Sequence, residues 1–114
     1  MRIGELADAT GVSARSLRYY EQEGLIEAHR DGRGWRCFDA EAVDRVILIQ
    51  HLFAAGLSSS VIVELLPCLA APPEERTSEL ADRLDAEIRR LEHERRHLDH
   101  ELGVLTELRR EAVV

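Results

Sequence analysis

Apolar positions along the chain fall into short periodic blocks separated by glycine, serine or proline. Ile3, Leu6 and Ala9 recur every three residues, which predicts a first helix from Gly4 to about Ala9 with these side chains inward. Thr10-Gly11 closes it, because Gly11 can take a positive φ. Ser13 is a good N-cap for a second helix reaching about Glu23 and stopped by Gly24, after which Leu25 and Ile26 return to the core. Residues 27–38 read as two short strands around Asp31-Gly32-Arg33-Gly34, with Trp35 and Phe38 on the return strand.

A longer helix follows. Asp39 is its expected cap, and Val43, Val46, Ile47, Ile49, Leu52 and Phe53 give it a wide apolar face that ends at Gly56. Ser58 caps a fourth helix carrying Val61, Ile62, Leu65 and Leu66; Pro67 is expected to stop it, and Pro72-Pro73 mark a linker. From about Glu74 to Glu111 only Gly103 interrupts a heptad pattern. Ala81, Ile88 and Leu102 share one register position, and Leu84, Leu91, Leu98 and Leu105 share the other, with Arg95 breaking the first series. Such a helix is about 50 Å long. A small domain cannot cover that stripe, so the seam predicts a coiled coil with a second copy. The resulting division is a mainly α domain over 1–71 and a linker with a dimerisation helix over 72–114.

Helix, glycine turn, helix with arginines and tyrosines, then a basic hairpin is the layout of a winged helix-turn-helix that reads DNA. The net charge of −7 over 114 residues argues against this until its distribution is read. Residues 1–38 hold six Arg and six acids and sum to zero, so the remaining 76 residues carry the whole −7. All fifteen Lys and Arg positions are Arg, which suits forked contacts to phosphate and guanine, although genomic composition alone also produces such a bias. No apolar run approaches the roughly 18 residues of a membrane span, and the N-terminus lacks signal-peptide character; a cytoplasmic protein is expected.

With these residues in place, the chain resembles the MerR family of bacterial transcriptional regulators over nearly its whole length. The resemblance rests on Ile3-Gly4-Glu5-Leu6-Ala7, on Leu17-Arg18-Tyr19-Tyr20-Glu21 with Gly24-Leu25-Ile26, and on Gly34-Trp35-Arg36 with Phe38, all followed by the heptad helix. It implies a winged helix-turn-helix, a second helix pair and a long antiparallel coiled-coil dimerisation helix. It also implies a homodimer on a palindromic promoter site, where distortion of the DNA spacer lets RNA polymerase engage. Helix two is then the recognition helix. Arg15 and Ser16 reach base edges or phosphates, Arg18 and Tyr19 match backbone-contacting positions, and Arg30, Arg33 and Arg36 on the wing neutralise phosphates, with Trp35 able to stack or donate. The expected seam is Leu84, Ile88, Leu91, Leu98, Leu102 and Leu105. The chain departs from the family pattern at Trp35 and Phe38, where tyrosine is usual, and at Ala28, where proline is common; Phe38 has no hydroxyl to offer a phosphate.

His93-Glu94-Arg95-Arg96-His97 formally matches HExxH, a zinc-peptidase signature. The extended form fails: His100 stands where glycine is needed and Gly103 where histidine is needed. The heptad places His93, His97 and His100 outward, with no cleft to enclose a metal. Cys37 and Cys68 are too far apart in sequence for a zinc knuckle, and no metal or cofactor is expected. Two rival classes are a coiled-coil adaptor whose helix-turn-helix contacts protein rather than DNA and a zinc hydrolase built on the histidine face.

Overall fold

The computed structural model describes residues 1–75 and 77–113 and contains two compact units, one ending at Glu75 and one beyond it. The first holds α1 (Ile3–Thr10), α2 (Ala14–Gln22), strands β1 (His29–Arg30) and β2 (Arg36–Cys37), α3 (Glu41–Ala54) and α4 (Ser59–Ala70). A single 3-10 turn, Pro73–Glu75, follows. The second unit is α5 (Ser78–Ala112). The fold is mainly α, a winged helix-turn-helix followed by one long helix.

Local chemistry sets the ends of these helices. The Arg2 N–H donates to Glu5 Oε1 at 3.1 Å, so an acidic first-turn side chain satisfies a donor at the mouth of α1. Gly11 closes the helix at φ 73° and donates to the Ala7 carbonyl at 2.8 Å. A side chain larger than glycine would be strained there. Ser13 Oγ accepts from the Ser16 N–H at 3.1 Å and starts α2 as expected. Ser58 Oγ does the same for Val61 at 3.3 Å in α4.

α1 packs on α2 and α3, and α3 packs on α4. Leu6, Leu17, Leu25, Ile26, Val46, Ile49, Ile62 and Leu66 are fully buried at the centre, with Tyr20 and Phe38 beside them. Each such aliphatic side chain contributes about 1.5–3 kcal/mol by leaving water. Two further contacts fasten α2 to this core. The Tyr20 ring stacks on Phe53 with centroids 5.6 Å apart, and its hydroxyl accepts from Gln50 Nε2. Burial pushes that phenol's pKa up, and the Gln50 bond pulls it back in part. Arg45 Nε donates to the Leu25 carbonyl at 2.7 Å and holds the chain where it leaves α2.

Several expectations need correction. Ala9 is exposed, because the inward face of α1 runs through Ile3, Leu6, Ala7 and Thr10 at helical rather than strict three-residue spacing. Asp39 does not cap α3: the helix begins after Ala40 with no side-chain cap, and Asp39 Oδ1 lies 3.5 Å from His29 Nε2 instead. Ile47 is 42% exposed, since Ala42, Val46 and Ile49 supply the buried face of α3. Pro67 does not stop α4, which runs on to Ala70. A proline lacks one donor and crowds the carbonyl four residues back, and here the helix tolerates both within its last turn. The strands are two residues each, far shorter than the 27–38 segment allowed. The long helix starts at Ser78 rather than Glu74, because Pro73–Glu75 take a separate tight turn.

Candidate nucleic-acid interface

The antiparallel hairpin places His29 opposite Cys37 and Arg30 opposite Arg36. Two guanidinium groups directly across a strand pair repel each other, and each has a separate acceptor. Arg30 Nη1 donates to the Gly34 carbonyl at 2.7 Å, and Arg36 Nη2 donates to Glu21 Oε2 on α2. The second bond ties the wing to α2. The loop between the strands is organised by Asp31, whose Oδ1 accepts from the Arg33 N–H at 2.8 Å and the Trp35 N–H at 3.0 Å. These bonds, the one from Trp35 foremost and that from Arg33 next, hold its carboxyl below the ordinary value of 3.8. Gly34 completes the turn at φ 80°. On its other side β2 meets Met1: the Phe38 N–H donates to the Met1 carbonyl at 2.5 Å, and Met1 N donates back to the Phe38 carbonyl at 2.7 Å.

Arg2, Arg18, Arg30, Arg33 and Arg36 line one open hollow of about 480 Å³ between α2 and the hairpin, with Glu21 the single acid among its lining residues. A concentration of five guanidinium groups in an acidic chain is an anion-attracting surface. Three anticipated arginines, Arg15, Arg18 and Arg33, are exposed and have no side-chain partner among the described residues. Ser16 is half-buried on the first turn of α2, and its hydroxyl accepts from Ser13 Oγ at 3.1 Å. Tyr19 is 44% exposed, and its hydroxyl lies 3.4 Å from Ser59 Oγ at the start of α4. Trp35 is 54% exposed, and the Arg2 guanidinium lies 4.1 Å above its ring. The hollow therefore joins Arg18, Arg30, Arg33, Trp35 and Arg36; Arg15 and Ser16 stand apart from it at the α2 N-terminus. Phe38 is buried, so its missing hydroxyl has no bearing on the surface.

Sequence reasoning missed Arg2. Its signal was weak: a single arginine before the first helix, whose partner Trp35 lies 33 positions away.

In α5 the side chains of Ile88, Leu91, Leu98, Leu102 and Leu105 are between 38% and 63% exposed, and Leu84 is half-buried. Val104 and Leu108, absent from the heptad reading, are also exposed. Along its flanks the helix carries ion pairs one turn apart: Arg90 with Glu87 at 2.9 Å and Glu94 at 2.7 Å, and Arg110 with Glu107 at 2.7 Å. His97 Nε2 lies 3.0 Å from Glu101 Oε1. His93, His97 and His100 are exposed, and among the described residues no group of three or more side chains is arranged to hold a metal ion. Both cysteines are free thiols, half-buried. Among the described residues no helix is long and apolar enough to cross a membrane.

A family model described as MerR HTH family regulatory protein matches residues 1–68. The HTH-type transcriptional regulator HmrR of Rhizobium leguminosarum bv. viciae is 33% identical over 111 residues, which cover 96% of this chain and 79% of that protein. Several other curated relatives are longer, and the chain spans 50%, 38% and 35% of their lengths. Among solved structures, the transcription regulator PbrR691 from Ralstonia metallidurans CH34, in complex with lead(II), superposes with a TM-score of 0.79 at 29% identity and covers 96% of this chain and 85% of its own. HiNmlR, a regulator lacking the sensor domain and bound to promoter DNA, superposes with a TM-score of 0.59 at 25% identity, covering 90% of this chain and 82% of its own.

Proposed function

The chain belongs to the MerR family of helix-turn-helix regulatory proteins, and we propose that it binds a palindromic promoter site as a homodimer. The observation that carries this reading is the arginine hollow shared by α2 and the wing, together with the unpaired guanidinium groups of Arg15, Arg18 and Arg33. A related regulator of the same fold is bound to promoter DNA, which supports duplex DNA as the ligand.

In this proposal residues 1–71 read DNA and 72–114 link and pair two copies. α2 enters the major groove. Arg15 and Ser16 on its first turn approach base edges and the phosphates beside them, and Arg18 and Tyr19 clamp the flanking phosphates. Arg30, Arg33 and Arg36, with Trp35 beside them, follow the backbone outward along the wing. The seam of Leu84, Ile88, Leu91, Leu98, Leu102 and Leu105, flanked by Leu108, pairs antiparallel with a second copy. Its support is an apolar stripe left exposed along a helix of 35 residues. Two recognition helices related by a two-fold axis read an inverted repeat. Bending the promoter spacer between them brings its elements into register for RNA polymerase, and the deformation energy of the DNA is the switch. Regulation of this kind needs no catalytic step and takes place where the chromosome is, in the cytoplasm.

Selection from random duplexes followed by footprinting upstream of the protein's own gene tests the reading. The expected result is an inverted repeat protected by the wild-type protein and not by Arg18→Ala. Recovery of no inverted repeat, with no protection, would replace this reading with that of a coiled-coil adaptor.

A further inference from the structure

Arg2 lines the arginine hollow and lies over the ring of Trp35. The Arg2 main chain is fixed on both sides: its N–H is bound to Glu5, and the preceding Met1 is paired edge-on with Phe38 at the end of β2. Its side chain crosses from the mouth of α1 to the wing, where the guanidinium lies 4.1 Å over the Trp35 ring. The same group lines the hollow with Arg18, Arg30 and Arg33. Indole is the best aromatic platform for a cation, and a planar guanidinium stacked on it keeps its edge N–H donors free. Trp35 is half-exposed and mounted on a hairpin turn whose backbone is held by Asp31. A flexible arginine before a helix would ordinarily sample many rotamers; this one is parked beside the proposed path of the DNA.

We propose that the Arg2–Trp35 stack is a preassembled phosphate-binding element, in which Arg2 contacts the DNA backbone and Trp35 acts through Arg2 by holding it in place. The inference rests on the DNA-binding reading above. It adds one backbone contact per protomer that neither the recognition helix nor the wing strands supply.

The stack can be read without DNA, because Trp35 is the sole tryptophan. Arg2→Ala should change the Trp35 emission spectrum of the free protein; an unchanged spectrum would overturn the stack. DNA binding is then measured on the duplex recovered by the wild-type protein, from 50 to 200 mM salt, for Arg2→Ala, Trp35→Ala and the double variant. Loss of one contact from each of two protomers lowers the slope of log affinity against log salt by about 1.8, so the variant loses about twelve-fold less affinity than wild type across that range. Trp35→Ala should weaken binding in the wild-type background and change it by less than about two-fold once Arg2 is gone, as for two residues acting as one unit. Independent, additive losses would show that Trp35 touches the duplex by itself and would overturn the proposal, as would an unchanged salt slope for Arg2→Ala. If the wild-type protein recovers no duplex, the DNA-binding reading fails, and this one with it.

Discussion

Ser13 lets the stability of α2 be separated from its proposed approach to DNA. Its hydroxyl accepts from the Ser16 N–H at 3.1 Å, the side-chain cap of a helix only nine residues long. Ser13→Ala leaves that donor to water and costs about 1 kcal/mol. With a urea m-value of about 1 kcal/mol/M for a unit this small, the unfolding midpoint should fall by about 1 M. Ser13→Asp keeps an acceptor at the same place and adds a charge that favours the positive end of the helix, so its midpoint should return to the wild-type value or above. DNA binding should behave differently. In a homodimer the Asp variant brings two carboxylates toward phosphates beside Arg15 and Ser16, opposing roughly two of the cationic contacts. The slope of log affinity against log salt should flatten by about 1.8, and affinity at 50 mM salt should fall by at least about ten-fold. Chemical denaturation and fluorescence anisotropy of a labelled duplex read the two effects on the same preparations. An Asp variant that is as stable as wild type and binds DNA equally well would refute the claim that the α2 N-terminus faces the phosphates.

Pro67→Ala should stabilise the first unit by roughly 1–2 kcal/mol, because the restored helix donor outweighs the freedom returned to the unfolded chain; thermal unfolding reads it, and a lower midpoint would show that the ring makes an essential contact. Leu98→Glu with Leu102→Glu puts charges in the exposed α5 stripe and should convert a dimer to monomers in sedimentation equilibrium while leaving the circular dichroism of the first unit in place. An Asp31 carboxylate whose pKa is depressed on folding stabilises the wing above its ordinary pKa and loses that contribution as the pH falls through its lower folded value. The amides of Arg33 and Trp35 should therefore keep their protection from hydrogen exchange through the ordinary carboxylate range and lose it only at lower pH, and Asp31→Asn should remove the transition.

Where the chain carried its own local chemistry, the fold could be read ahead of the structure. Ser13, Ser58, Gly11 and Gly24 are capping and turn residues whose partners lie within five positions, and they mark helix ends correctly. Leu25 and Ile26 were legible as core because they follow directly on the Gly24 stop. Failures fall where tertiary geometry outweighs a local preference. Asp39 could have capped α3 but faces His29 across the fold, and Pro67 could have ended α4 but lies in a last turn that continues. The interface was legible as a set of arginines and not as an arrangement. Sequence could not tell that Arg36 is engaged by Glu21 while Arg18 is free, or that Arg2 folds onto Trp35, since each pairing depends on how the wing meets α2. Val104 and Leu108 lie outside the heptad reading because Val104 shares the outward position of His97, seven residues before it, and Leu108 stands beside the seam one turn after Leu105.

The salt dependence of binding to the selected duplex tests the central claim most directly. Three unpaired arginines per protomer, Arg15, Arg18 and Arg33, give six phosphate contacts in a dimer and a slope of log affinity against log salt of at least about −5. A slope of that size, shallower by about 1.8 in Arg18→Ala, is the result expected of a DNA-reading homodimer. Binding that is indifferent to salt and to Arg18 would contradict it and place the function of this chain in protein contacts instead.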